Sequence, residues 1–452
     1  MNTSENTKCR YVHFIGIGGI SMSAIAQIMI SSGHKVSGSD RTESPITKKL
    51  ASLGAQINIG QSAQNITNPD LVVYTAAISQ DDPELCAARD KGIRCLERAE
   101  FLGELIAEYS LPIAVCGTHG KTTTTSMVSC IYMKADKNPT ILVGGELDKI
   151  GGNLRIGGRE YMIFEACEYK DSFLHFMPKY TIALNIEEDH LDYFDGIEAI
   201  KASFAKFFDK LPQDGFAIIN ADDNELMDAA SRSNCKKIYY GMEKGEFTAS
   251  NIVYDHMGHP CFDVMHHGEK LASVHLKEYG MHNISNALAA FALAYTDGIS
   301  IEKIVEGLEY FGGTGRRFEL RCEVNGAKVY DDYAHHPTEV KSTLLAAQNI
   351  PHNKIWCVFQ PHTYTRTKAF KNDFAQALKL ADNVIITDIY AAREPFDPSI
   401  SAKEIADSIE NSMYIKDFGE IAQIIRQNAQ KNDVIFIMGA GTVTSICDLL
   451  NK

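Results

Sequence analysis

Between Ile113 and Thr125 the chain reads IAVCGTHGKTTTT: an apolar run ends in Gly-Thr-His-Gly-Lys-Thr and then opens a helix-forming stretch. Glycines allow the sharp turn, and a helix N-terminus offers unpaired N–H groups and the positive end of its dipole. The pattern therefore predicts a polyphosphate site, with ATP as the expected ligand. Gly117, Thr118, His119, Gly120, Lys121, Thr122 and Thr123 would surround the phosphates, with the Thr122 hydroxyl placed for Mg2+. The spacing departs from the common phosphate loop. G-x-x-x-x-G-K-[ST] would put its first glycine where Val115 stands; here the glycine is Gly117 and the loop is the compact G-x-x-G-K-T.

Other candidates close apolar runs further along. IFEAC ends one run on Glu165, with Glu168 one turn on, and LNIEEDHLD places His190 among acids just after another. Ligands gather beyond the carboxyl ends of parallel strands, so three successive strands would deliver Thr122, Glu165 and His190 to one rim as metal ligands. Any one of them alone is better read as a solvated loop residue. Beside a phosphate loop, the three together are not.

A second glycine turn, Gly16-Ile17-Gly18-Gly19, follows the run YVHFI and precedes a helical stretch. The third glycine of the dinucleotide fingerprint is missing, since Ser21 stands there. The turn would admit a diphosphate, from NAD or from a UDP-sugar, or serve only as a tight turn. Asp40, closing the next strand, is placed for a ribose hydroxyl; Arg98 is a helix-surface residue or a second charge for the diphosphate.

Toward the C-terminus, Asn283 and Asn286 in GMHNISNA either cap a helix or meet a purine edge, and capping is the simpler reading. Arg316 and Arg317, just past Gly312, Gly313 and Gly315, form a surface pair or a charge carried by a closing domain onto a transferring phosphoryl group. Asp331-Asp332-Tyr333-Ala334-His335-His336 is too polar for core and suggests substrate contact. In FQPHTYTR, Arg366 is a plausible bidentate partner for a small carboxylate, and Arg393 could add another. Gly439-Ala440-Gly441 is read as a structural turn.

These residues need strands to end beneath them. Tyr11–Ile15, Lys35–Gly38 (closing at Asp40) and Leu71–Tyr74 form a βαβ rhythm in the first 110 residues. Strands are predicted over Tyr161–Phe164, Tyr180–Asn185 and Phe216–Asn220, then a hairpin-like stretch over Phe247–Val274 turning at His267-Gly268. Alternation resumes over Ile355–Phe359, Val384–Thr387 and Val434–Met438. The expectation is an α/β protein of three domains: 1–110, Rossmann-like; 111–315, a P-loop ATPase-type sheet; 316–452, Rossmann-like.

Composition narrows the partners. Of 452 residues, 44 are Lys or Arg and 58 Asp or Glu, a net charge of −14 that argues against non-specific nucleic-acid or anionic-membrane binding. Eleven cysteines, scattered without a C-x-x-C pair, fit free thiols in a reducing cytosol. MNTSENTKCR has no apolar h-region and no run approaches a membrane span, so a cytoplasmic protein is expected. Small-molecule substrates, without nucleic acid or membrane insertion, and a monomer or weak homodimer complete the expectation.

GTHGKTTT, EACEYKDSF, NIEEDHLD, GMHNISNA, GRRFE, DDYAHHPTE and FQPHTYTR occur in the order found in the Mur ligases, and the chain resembles that family over essentially its whole length. HFIGIGGISMS and DDYAHHP are most similar to the alanine-adding branch. The resemblance implies a UDP-sugar domain, a central ATPase domain and a mobile amino-acid domain. It also implies an ATP-dependent joining of L-alanine to the carboxylate of UDP-N-acetylmuramate through an acyl phosphate, in peptidoglycan precursor synthesis.

Carried over residue by residue, it puts Gly16, Gly18 and Gly19 at the UDP diphosphate, with Asp40 and Arg98 nearby. Lys121 and Thr122 meet ATP and Mg2+, and Glu165 and His190 serve the metal ions, two in number. Asn283 and Asn286 meet adenine, Asp332 the ribose, and Arg317 or Arg316 the phosphates. Tyr333, His336, His362 and Arg366 face the incoming alanine; Lys121, Arg317 and His336 are the implied catalytic residues, His336 as base. Two departures stand out. Lys206 lies near, but out of register with, a carbamylated lysine common in other Mur ligases and is not assigned; Thr363 stands where some relatives carry arginine. The rival within the family is the murein tripeptide-recycling ligase, whose N-terminal turn differs from GIGGISM. Folylpolyglutamate synthetase shares the phosphate loop but lacks the N-terminal domain. An NAD-dependent oxidoreductase built on Gly16–Gly19 leaves GTHGKT without a task.

Overall fold

The computed structural model describes residues 10–451. The first nine residues, which carry most of the N-terminal reading, lie outside the described residues. Three α/β sheets follow one another along the chain. The first contains β1 (Tyr11–Ile15), β2 (Lys35–Asp40), β3 (Gln56–Ile59), β4 (Leu71–Tyr74) and β5 (Arg94–Glu97), all parallel, in the order β3-β2-β1-β4-β5. Chain order reverses between β1 and β4, so the glycine turn leaving β1 stands at the switch point of a doubly wound sheet. The sequence expectation made Leu71–Tyr74 the third strand, but it is the fourth. The strand missed before it, QINI, and the later RCLE are short, half-polar edge strands without an apolar run to mark them.

The second sheet has ten strands: β6 (Leu111–Cys116), β7 (Thr140–Leu147), β8 (Gly152–Arg155), β9 (Tyr161–Glu165), β10 (Tyr180–Ala183), β11 (Phe216–Asn220), β12 (Lys237–Tyr240), β13 (Phe247–Tyr254), β14 (Pro260–His266) and β15 (Glu269–His275). β6 lies between parallel β9 and β10, so the phosphate loop, Glu165 and the segment carrying His190 leave neighbouring strands at the same end. The stretch expected as a hairpin is a three-stranded antiparallel meander, β13-β14-β15. His267 (φ 48°) and Gly268 (φ 83°) make its second turn, the left-handed pair that suits strand twist. The alanine-rich helix Met281–Thr296 is buried on nearly every face and packs on the phosphate-loop helix Lys121–Lys134.

The third sheet contains β16 (Glu319–Val324), β17 (Ala327–Asp332), β18 (Ile355–Phe359), β19 (Asn383–Ile386), β20 (Ser412–Tyr414) and β21 (Val434–Met438), in the order β16-β17-β21-β18-β19-β20. Only β16 runs antiparallel, joined to β17 by a turn at Asn325-Gly326. β17, β18 and β21 are wholly or nearly buried, as parallel strands covered on both faces must be. Among the described residues all ten cysteines are free, and no helix is long and apolar enough to cross a membrane.

Candidate active site

The phosphate loop is shaped by what its neighbours leave no room for. Gly117 has φ 137°, and a Cβ there would lie 3.0 Å from Leu184 Cβ. Gly120, at φ 83°, is the N-cap of the helix Lys121–Lys134. Asn185 holds the loop from below: its carbonyl accepts from the Thr118 N–H (3.1 Å) and its side chain from the His119 N–H (2.8 Å). No side chain caps the helix, so its first-turn N–H groups face outward, the arrangement that receives an anion. Lys121 Nζ lies over the loop, donating to the carbonyls of Gly117 and Thr118 and pairing with Glu168 at 3.1 Å. Burial pushes the Lys121 ammonium down, but Glu168, Cys167 and Glu165 outweigh it and keep the group raised and charged. Glu165, at the end of β9, accepts from the Gly144 N–H (2.5 Å) and stands against the Thr122 hydroxyl; burial raises its pKa. A hydroxyl and a half-buried carboxylate side by side are donors that suit a hard divalent ion.

Next to the loop lies a cavity of about 110 Å³ between the second and third sheets. Gly120 and Thr123 form its floor, Asn283 and Asn286 one wall, Arg317 and Asp332 the other. Asp332 is buried, accepts from the Phe318 N–H (3.0 Å) and the Ala334 N–H (2.7 Å), and is pushed up by burial to about 6. Glu278, also in this cavity, is raised by burial alone to about 7.

A larger groove of about 1200 Å³ opens beside it, and all three sheets contribute. Gly16, Gly18, Gly19 and Asp40 come from the first, Tyr169, Asp189 and His190 from the second, His362 and Arg366 from the third. Arg366 binds Asp189 through Nη2 (2.6 Å) and Nε (3.2 Å). Burial opposes the charge on Asp189, yet Arg366 and His190 hold its carboxyl well below the usual range. Burial pushes His362 down to about 4, with His335 and Arg366 adding to the effect. Left-handed backbone at non-glycine residues collects around the groove and hinge: His190 (φ 54°), Arg316 (59°), Phe318 (53°) and Thr363 (65°). Such conformations are held only where the surroundings over-determine them, and they concentrate at working sites.

Residues 11–110, 115–294 and 316–441 match three domain models, described respectively as the Mur ligase family catalytic domain, the Mur ligase middle domain and the Mur ligase glutamate ligase domain. The chain belongs to the Mur ligase family. It is 48% identical to the UDP-N-acetylmuramate–L-alanine ligase of Alkaliphilus metalliredigens, covering 99% of this chain and 98% of that one. It is likewise 48% identical to the enzyme of that name from Clostridium tetani, covering 98% of each. Among solved structures, the UDP-N-acetylmuramate-alanine ligase of Thermotoga maritima superposes with a TM-score of 0.82 at 31% identity, covering 98% of each chain. A murein peptide ligase from Psychrobacter arcticus gives 0.71 at 27%, also over 98% of each.

Against this Mur ligase frame, several sequence expectations change. Asn283 and Asn286 do not cap their helix. Gly280 (φ 91°) is the N-cap, and the two amides lie inside the first turns, where Asn286 donates to Asn283 Oδ1 (3.0 Å). The arginine pair divides: Arg316 turns into the third sheet, onto Asp331 (3.2 Å) and the Gly439 carbonyl (2.6 Å), while Arg317 lines the cavity. Tyr333 is their platform, its ring 4.9 and 5.2 Å from the two guanidinium carbons. Asp40 accepts from the Gly18 N–H (2.8 Å), so its carboxylate and the glycine turn already satisfy each other. Arg98 reaches across to Ser21 Oγ (3.2 Å) at the helix after that turn.

His190 lines the open groove, its ring 4.5 Å from that of Tyr169, while Thr122 and Glu165 meet beside the phosphate loop. Lys206 is exposed; the neighbouring buried lysine, Lys201, is taken by Glu198, Glu225 and Asp228. His336 is the N-cap of the helix Pro337–Ala347, and its ring lies 4.6 Å from that of His119. Its Nδ1 is 3.5 Å from Glu187, its Nε2 is unpartnered, and burial lowers its pKa.

The residues missed in the sequence are mostly the partners. Asn185 stands inside a quoted motif, and Glu339 is the capping-box acid of HHPTE, a signal that was available.

Proposed function

We propose that this chain joins L-alanine to the carboxylate of UDP-N-acetylmuramate at the expense of ATP, a step of peptidoglycan precursor synthesis that would take place in the cytoplasm. The observation that carries the reading is the groove beside the caged lysine, to which all three sheets contribute. Residues 1–110 would hold the sugar nucleotide at Gly16, Gly18 and Gly19, 111–315 would hold ATP, and 316–452 the amino acid. The 48% identity to two ligases of that name over nearly whole chains supports the choice.

In the first step a carboxylate oxygen of the sugar attacks the γ-phosphorus. An O–P bond forms, the bridging O–P bond breaks, and ADP leaves with the electron pair. An anion is driven toward a polyanion, so the work is neutralisation and placement. Lys121 would exchange Glu168 for phosphate oxygens, and Arg317 would bring charge from the closing body. Thr122 and Glu165 would hold a magnesium ion, with His190 available to a second; the ion supplies positive charge against that repulsion. The N–H groups at the start of the helix Lys121–Lys134 complete the cradle. Asn283 and Asn286 would meet the adenine and Asp332 the ribose.

In the second step the alanine amine attacks the acyl carbon, a C–N bond forms and phosphate departs. Arg366, with His362 beside it, would orient the amino-acid carboxylate. His336 is neutral near pH 7 because burial lowers it. In the structure Nδ1 accepts the Thr338 N–H (3.4 Å), which leaves the hydrogen of the neutral ring on Nε2. To take the amine proton at Nε2 the ring would give up that cap and carry its hydrogen on Nδ1, toward Glu187 3.5 Å away. Closure of the three bodies excludes the water that would hydrolyse an acyl phosphate.

Phosphate release, followed with each component omitted in turn, tests the proposal. It should require ATP, UDP-N-acetylmuramate and L-alanine together. Release that ignores the sugar nucleotide, a preference for the murein tripeptide, or reduction of NAD would overturn it.

A further inference from the structure

Among the described residues, three groups of side chains lie close enough together to act as ligands of one ion. His119, Glu187 and His336 belong to the cleft already described, and Glu246, His266 and His267 gather where β13 begins and β14 ends. The third lies outside the lining of that cleft: Asp255 and His259 bound the β13–β14 turn, and His275 ends β15. Asp255 Oδ2 lies 3.4 Å from His259 Nδ1 and 3.2 Å from His275 Nε2, and one ligand atom from each residue lies within 4.8 Å of the other two. Donors bound at about 2.0–2.1 Å to one tetrahedral ion sit about 3.3–3.4 Å apart, so the two separations from Asp255 Oδ2 already match a coordination shell.

The shell is built rather than incidental. Asp255 Oδ1 accepts the N–H groups of Met257 (2.8 Å) and His259 (2.9 Å), which fixes the carboxylate with Oδ2 turned to the imidazoles. The turn closes through Asp255 N–H to the His259 carbonyl (2.9 Å). His275 is held in place by strand pairing with Cys261. Tyr279 walls the His259 ring at 4.7 Å. The His275 side chain remains 49% exposed, so an ion can enter, and a solvent molecule can complete the shell.

We propose that Asp255, His259 and His275 form a binding site for a borderline divalent transition ion of the Zn2+ class, separate from the hard-cation site beside the phosphate loop. Two imidazoles and one carboxylate suit such an ion and not Mg2+. The ion would rigidify a turn that touches the third body: a Cβ on Gly258 would lie 2.7 Å from the Asn349 carbonyl oxygen.

The test uses the full chain, freed of metal by a chelator and kept in excess Mg2+, titrated with Co2+. One equivalent should produce the visible absorption of tetrahedral cobalt, and Zn2+ should abolish it. His275→Ala should weaken Co2+ binding about tenfold or more, and His259→Ala likewise, with Mg2+-dependent turnover unchanged as evidence of an intact fold. Wild-type absorption that never appears, or that survives in both variants at undiminished affinity, overturns the proposal. Asp255→Asn is the second probe: it keeps the turn's N–H acceptor yet should lose the ion.

Discussion

Raising the pH through about 9 should loosen the third body from the second, because His119 is the group that titrates between them. Its Nε2 faces Glu187 and its Nδ1 faces Glu339, each at 3.3 Å, and Glu339 belongs to the helix Pro337–Ala347 of the third body. Only the imidazolium donates from both nitrogens. Burial pushes the ring down, yet the two carboxylates outweigh it and bring it from 6.5 to about 9. At about 1.36 kcal/mol per pH unit that difference corresponds to roughly 3 kcal/mol at most. The group is raised in the folded state, so its contribution is complete below the unfolded value of 6.5 and is lost as pH climbs through about 9. His119→Gln, neutral throughout, should lack the contribution at every pH. Thermal unfolding of both proteins at about pH 6 and about pH 10 measures the difference. For a body of about 150–250 residues, 1 kcal/mol moves the midpoint by about 2–4 °C. Wild type should therefore lead by several degrees at the lower pH and by nothing at the higher. Parallel curves, with the same gap at both ends, would refute the latch.

Lys121→Ala should cut phosphate release by about 10²–10³-fold or more with the circular dichroism spectrum retained; residual turnover near wild type would remove Lys121 from the phosphate site. Gly120→Ala should impair nucleotide binding and lower stability, since its φ of 83° disfavours a side chain and the new Cβ would press 2.9 Å from Asn286 Oδ1; a nucleotide titration and a melt check both effects. Glu278→Gln should stabilise the ligand-free protein above about pH 7 by up to roughly 3 kcal/mol and by nothing near pH 4.5, because burial alone raises that carboxyl to about 7 and its charged form is the costly one. Wild type as stable as the variant at high pH would show that Glu278 has a compensating partner.

What the sequence made legible is local in the chain. The phosphate loop needs Gly117, Gly120 and Lys121 within one short turn, and their glycine and helix-start chemistry can be read from the residues themselves. The buried strands β6, β9, β18 and β21 are continuous apolar runs and were legible for the same reason. Edge strands were not: ELRCEV alternates charges with a cysteine, and QINI has nothing on either side to mark it. For Asn283 and Asn286 the simpler of the two readings, a cap, fails: Gly280 at φ 91° makes the entry, and the two side chains line the cavity, Asn283 donating to the Tyr279 carbonyl (2.9 Å) and Asn286 to Asn283 Oδ1 (3.0 Å).

The remaining gap lies in pairings across bodies, where no window of sequence holds both partners. Arg366 and Asp189 are 177 residues apart, and each motif taken alone suggests a free group. Their pairing changes what the arginine can do. A carboxylate arriving at Arg366 does not meet a solvated cation but displaces or shares a buried one already satisfied by Asp189. Arg366 thus exchanges one carboxylate for another, and the Coulombic gain on binding is small. Discrimination must then come from geometry: only a ligand that keeps the guanidinium bonded while leaving Asp189 a donor avoids stranding a buried charge. An α-amino acid carries that donor, its ammonium, one carbon from its carboxylate. Within the proposed reaction, the pair would select for an amino acid over a plain carboxylic acid before any side chain is read.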